Sequence, residues 1–132
     1  MLNHIQQMIL HMNSEPMKEN KPSIIIFASG GGSNALSIIN YFRANQKATI
    51  DLIVCNKPNA GVLEIADKYQ IPSKIITKDE LHKSSFLSIL QSINPSIIVL
   101  AGFLLKIPNE IISIYPNIIN IHPSILPKYG GK

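Results

Sequence analysis

The chain has 132 residues, 45% hydrophobic and 15% charged, which excludes a disordered polyelectrolyte and suits one domain with its own core. Its formal charge of +4 comes mostly from scattered lysines, so it reads as a mild attraction for phosphate-bearing small molecules and argues against a nucleic-acid surface. The single cysteine, Cys55, excludes an internal disulfide and no apolar run is long enough for a bilayer, so a cytoplasmic setting without membrane attachment is expected.

Residues 1–22 read as an N-terminal extension, either flexible or a short helix. Leu2, Ile5, Ile9 and Met12 carry helical spacing, and the Asn13-Ser14-Glu15-Pro16 cluster ends it. Residues 23–132 read as an α/β domain. Ile24 to Ala28 is a buried strand, followed by a glycine cluster and a helix from about Asn34 to Ala44. Ile50 to Cys55 is a second strand, on which Cys55 serves as a small buried apolar group. A helix over Ala60–Tyr69 and a short strand over Ser73–Ile76 follow. The pattern then predicts one helix over Asp79–Ser92, with Leu81, Phe86, Leu87, Ile89 and Leu90 inward. Ile97–Ala101 is the fourth strand, Pro108–Ile114 a short helix, Ile118–His122 the fifth strand, and Pro123–Lys132 a loop. Strands alternating with helices of this length imply right-handed crossovers and a mainly parallel sheet in a Rossmann-like three-layer sandwich. Such sheets bind ligands beyond the carboxyl ends of their strands.

Three features fall at those ends. Ser29-Gly30-Gly31-Gly32-Ser33-Asn34 joins a strand to a helix. Glycines uncover backbone N–H groups there, and the helix start adds more, so the segment reads either as a phosphate cradle or as a tight turn. Ser33 and Asn34 can cap the helix or donate to a ligand oxygen. The lysine of a nucleotide-binding P-loop is missing. Gly30, Gly32 and Ala35 meet the dinucleotide spacing, but Asn56 stands where an acidic ribose ligand belongs, so a nucleotide monophosphate or sugar phosphate fits better. Asn120 and His122 lie two apart on a strand and share a face, with Pro123 holding His122 extended. An amide that donates to an oxyanion beside an imidazole that moves a proton suits acyl chemistry; a structural loop histidine is the competing reading. His82 reads as a solvent-facing helix residue. No histidine pair has zinc-ligand spacing with a third ligand nearby, so no metal is expected.

Three stretches together resemble the folate-dependent glycinamide ribonucleotide formyltransferases: Ala28–Asn34, Val99-Leu100-Ala101-Gly102-Phe103-Leu104, and Asn120-Ile121-His122-Pro123-Ser124-Ile125-Leu126-Pro127-Lys128-Tyr129-Gly130. A weaker match runs from Cys55-Asn56-Lys57 to Gly61, and the likeness extends over Ser23–Lys132. The resemblance implies the formyltransferase fold, C-terminally incomplete, and formyl transfer from 10-formyltetrahydrofolate to the amine of glycinamide ribonucleotide in purine biosynthesis. It implies that Gly32, Ser33 and Asn34 hold the ribonucleotide phosphate. Lys78, Leu104, Leu105, Lys106 and Ile107 would line the folate pocket. Asn120 would polarise the formyl group and His122 would act as catalytic acid. The small-molecule partners are thus the ribonucleotide and formyl-folate, and a homodimer is left open. Many relatives place an arginine in the folate segment, where this chain has Phe103-Leu104-Leu105-Lys106. The family's catalytic aspartate and further strands lie downstream of Lys132, and Asp51, Asp67 and Asp79 do not stand in for that aspartate. A carboxylate partner orients a histidine and favours its charged form, so little or no turnover is expected from these residues alone. The rival readings are methionyl-tRNA formyltransferase, a formyl-folate hydrolase, a non-catalytic phosphate- or folate-binding module, and a dinucleotide-dependent oxidoreductase.

Overall fold

The computed structural model describes residues 2–13 and 21–121. The chain runs α1 (Leu2–Asn13), β1 (Ser23–Ala28), α2 (Ser33–Asn45), β2 (Thr49–Cys55), α3 (Gly61–Lys68), β3 (Ser73–Ile75), α4 (Lys78–Leu81), α5 (Ser84–Ile93), β4 (Ile97–Ala101), α6 (Asn109–Ile114) and β5 (Ile118–Ile121). The strands form one sheet in the order β3-β2-β1-β4-β5, and every pairing is parallel. Isoleucine-rich runs make these strands because both faces of a parallel sheet are covered. Along β1, Ile24, Ile26 and Ala28 enter one core while Ile25 and Phe27 enter the other. Cys55 is buried in the first of these cores, as its place on the second strand predicts.

The first core lies under α2 and α3, through Ala35, Ile38, Ile39, Phe42, Val62 and Ala66. Helix α1 adds Ile5 and Ile9 to it; four residues apart, they share one helical face, and both are fully buried. The Gln6 side-chain amide also donates to the Tyr41 hydroxyl at 2.6 Å, tying α1 to α2. The second core lies under α4, α5 and α6, through Leu81, Phe86, Leu90, Ile111 and Tyr115. Helices therefore cover the sheet from both sides. The crossover after β1 returns on one face and that after β4 on the other, which puts the topological switch point between β1 and β4.

The single helix expected over Asp79–Ser92 is two helices, separated at His82–Lys83, where Lys83 is extended. At roughly 100° per residue, a continuous helix would set Leu81 about 180° away from Leu90. The break brings both onto the sheet, where each is buried. Helix α4 is too short to hold itself and carries a capping box. The Thr77 hydroxyl accepts from the Glu80 backbone N–H at 3.1 Å, and the Glu80 carboxylate accepts from the Thr77 backbone N–H at 2.8 Å. Chiefly that backbone bond holds the exposed Glu80 carboxyl below its ordinary value. A carboxyl with a lowered folded-state pKa stabilises the fold above its unfolded pKa, and the contribution vanishes as pH falls through the folded one. Glu80→Gln is accordingly expected to melt below the parent at neutral pH, with the gap closing on acidification below the ordinary carboxylate range. Melting curves against pH check this, and a gap that widens in acid refutes it.

Candidate active site

The carboxyl ends of β1, β2, β4 and β5 face one rim of the molecule, and the predicted site residues that the structure describes gather there. The turn after β1 is shaped by Gly32, the residue that precedes α2, at φ +88°. A Cβ at that position would stand 2.9 Å from Ile65 Cδ1 and 3.0 Å from the Val62 backbone, so only glycine fits unstrained. The turn is braced from α3, whose Val62 N–H donates to the Gly30 carbonyl at 3.1 Å. Ser33 and Asn34 do not cap the helix; they are its first two residues, and Gly32 supplies no side-chain cap. The first N–H groups of a helix have no partner within it, and the positive end of the dipole points the same way. This 13-residue helix thus opens towards the rim with its leading amides at Ser33 and Asn34, beside an exposed hydroxyl and a half-buried amide side chain. That arrangement can take an anionic group.

On the other side of the sheet, Lys78 and His82 of the α4 segment face Leu105, Lys106, Ile107, Pro108 and Asn109 across a cavity of about 350 Å³. Four residues predicted from far-apart stretches, Lys78, Leu105, Lys106 and Ile107, meet in it. Leu104, the fifth, is 69% exposed and is not part of its wall. His82 is exposed but lines this cavity, so it is not merely a solvent-facing helix residue. The helix break beside it turns it there, and the mismatch between Leu81 and Leu90 is the sequence signal for that break. A volume near 350 Å³ lies at the small end of the range for ligand pockets. A cavity of about 430 Å³ lined by Lys21, Arg43, Thr49 and Gln70 lies at the amino ends of the strands, away from every predicted site residue.

Asn120 sits on β5, paired with Leu100 of β4. Its neighbours Ile119 and Ile121 enter the first core, whereas Ile118 packs on the second. Alternation therefore sets Asn120 on the face that carries Leu105 and Ile107, where it is exposed. His122 and the Pro123–Lys132 loop lie outside the described residues.

Sequence reading missed the residue that joins these parts. Ser29 is the one polar side chain buried among the described residues, at 4% exposure. Its N–H donates to the Gly102 carbonyl at 3.3 Å, and its hydroxyl accepts the Leu104 N–H at 2.9 Å and donates to Asn56 Oδ1. A serine directly after a fully buried strand is the only local hint. Among the described residues no group of three His, Cys, Asp or Glu side chains could hold a metal ion, and no helix is long and apolar enough to cross a membrane.

A parallel sheet in this order, with an amide-lined turn on one side of its switch point and a cavity on the other, is the framework of a doubly wound α/β domain that binds small molecules. The formyl transferase family model matches residues 22–132, and the chain belongs to that family. Among curated proteins it is 35% identical to the phosphoribosylglycinamide formyltransferase of Bacillus subtilis, over 80% of this chain and 58% of the relative. It is 31% identical to the chloroplastic phosphoribosylglycinamide formyltransferase of Arabidopsis thaliana, over 96% of this chain and 46% of the relative. Among solved structures, glycinamide ribonucleotide transformylase 1 of Geobacillus kaustophilus superposes with a TM-score of 0.72 at 31% identity, over 86% of this chain and 64% of that one. The chain thus spans about half the length of the curated relatives it matches.

Proposed function

We propose that this site serves formyl transfer from 10-formyltetrahydrofolate to the amine of glycinamide ribonucleotide, a step of purine biosynthesis, in the cytoplasm. The observation that carries the reading is the pairing of two subsites across the β1–β4 switch: an uncapped helix start on one side, and the Lys78–Ile107 cavity on the other. The ribonucleotide phosphate sits at Gly32, Ser33 and Asn34, held by backbone N–H groups and the helix dipole. The folate lies along Lys78, Leu105, Lys106 and Ile107, with Leu105 and Ile107 against its rings and Leu104 beside the cavity rather than in its wall. Between them the substrate amine attacks the formyl carbon. The Asn120 amide donates to the formyl oxygen as negative charge builds on it. As the bond from the formyl carbon to the folate nitrogen breaks, His122 supplies the proton that this nitrogen takes up, and the proton lost by the attacking amine passes to solvent.

Calorimetric titration with glycinamide ribonucleotide tests this reading, using Asn34→Asp as the informative variant. A carboxylate in the first turn favours the helix dipole, so the variant is expected to melt no lower than the parent. The same carboxylate repels a bound phosphate, so affinity is expected to drop at least about tenfold. An unchanged affinity, or a parent that binds NAD and not the ribonucleotide, overturns the proposal.

A further inference from the structure

Ser29 stands between the two proposed subsites, continuous in the chain with the turn that forms one and hydrogen-bonded to the segment that forms the other. Its own residue leads into the Gly30–Asn34 turn. Its hydroxyl holds the Leu104 N–H, which belongs to the segment that runs into the cavity wall at Leu105, Lys106 and Ile107. Its N–H holds the Gly102 carbonyl, at the point where the chain leaves β4 with φ +75°. The hydroxyl proton is directed to Asn56, just past the end of β2. Three strand ends on both sides of the switch point are therefore fastened through one buried side chain.

From this geometry we infer that Ser29 is a positioning residue that couples the two substrate subsites. The inference rests on the functional reading above and adds to it the route by which one ligand affects the other. A hydroxyl has one proton and can accept as well as donate, and here each role has a partner. Turning it away from Asn56 leaves the Asn56 oxygen unpartnered, and moving the Leu104 segment leaves a backbone N–H unpartnered. The Ser29 hydroxyl at the centre is buried, so water cannot readily replace either bond there. The turn after β1 and the segment after β4 are thereby held in one mutual arrangement. A phosphate that orders the first turn also fixes where Leu104 and Leu105 stand, and a second ligand then binds to a segment already ordered. Coupling of this kind is reciprocal, so folate must raise ribonucleotide affinity by the same factor.

The test is a two-ligand calorimetric cycle on the full chain, with glycinamide ribonucleotide and tetrahydrofolate as probes. In the parent, each ligand is expected to raise the affinity of the other by about fivefold or more, within the usual range for coupled sites. In Ser29→Ala the ratio is expected to fall to about one, whatever happens to the single affinities. A merely structural role would lower both single affinities and leave the ratio standing. Asn56→Asp and Asn56→Leu provide a second comparison should Ser29→Ala fail to fold. The aspartate keeps an acceptor for the hydroxyl and is expected to keep the coupling, whereas leucine is expected to lose it. A parent that binds both ligands without coupling, or a Ser29→Ala that retains the parent ratio, overturns the inference and leaves the functional reading in place. A parent that binds neither ligand removes both.

Discussion

Gly32→Ala is expected to destabilise the chain by about 2–4 kcal/mol, whereas Gly30→Ala, two residues away, is expected to change stability by less than about 0.5 kcal/mol. Both glycines belong to the same turn, and composition alone would treat them alike. At Gly32 two penalties add. A side chain at φ +88° costs roughly 1–3 kcal/mol in backbone strain. Its Cβ also presses on Ile65 Cδ1 at 2.9 Å and on the Val62 backbone at 3.0 Å; the isoleucine tip can give way, but the first turn of α3 cannot shift cheaply. At Gly30 the added Cβ meets nothing within 4 Å and the backbone does not lie at positive φ. Urea denaturation of the two variants measures the difference directly. Equal losses would show that the turn is plastic and that α3 does not brace it. The same comparison bears on ligand binding. If α2 and α3 are wedged apart by the Gly32 methyl, the leading amides of α2 no longer converge, and ribonucleotide affinity is expected to fall along with stability.

The strands were legible in the sequence because their isoleucine runs report burial on both faces, a property of residues next to one another. Ile24–Phe27 and Ile97–Val99 could hardly be anything but central strands. The turn at Gly30–Asn34 was legible for the same reason: its glycines and the helix that follows are contiguous. The helix break at His82–Lys83 was written there too, in the angle between Leu81 and Leu90, but the apolar residues taken as a set conceal it. What local pattern could not supply is convergence. Ser29 meets Asn56 across 27 residues and Leu104 across 75, and no spacing rule links a serine to an amide that far away. The seat of α1 was unreadable on similar grounds. Periodicity of Ile5 and Ile9 predicts an apolar face, but which surface receives it depends on the open flank of α2 near Tyr41. Residues of the cavity wall could be named individually from family resemblance; that Lys78 and His82 close the cavity opposite Leu105–Asn109 is a fact of the α4–α5 geometry.

Phe27→Ala is expected to destabilise the chain by about 3–5 kcal/mol. Phe27 is fully buried on the central strand. Its ring meets Phe86 edge-on at 6.1 Å between centroids and Phe103 edge-on at 5.2 Å, both at 82° between planes. Such pairs add to simple area burial, and the three rings join β1, α5 and the segment after β4 in one stack. Against a typical domain stability of about 5–15 kcal/mol, the loss is a large share of the total. Phe27→Leu keeps more of the apolar volume and is expected to lose less. The consequence for the site is separable from the global loss. Phe103 directly precedes Leu104, whose N–H is the one held by Ser29, so removing the Phe27 ring loosens that segment from beneath. Phe86→Ala empties a neighbouring part of the same core but leaves the direct Phe27–Phe103 contact in place. Amide exchange at Leu104 is therefore expected to be faster in Phe27→Ala than in Phe86→Ala when the two are brought to equal global stability with stabilising osmolyte. Identical exchange would mean that the segment after β4 is held by the Ser29 bonds alone, with the aromatic stack contributing only to the core.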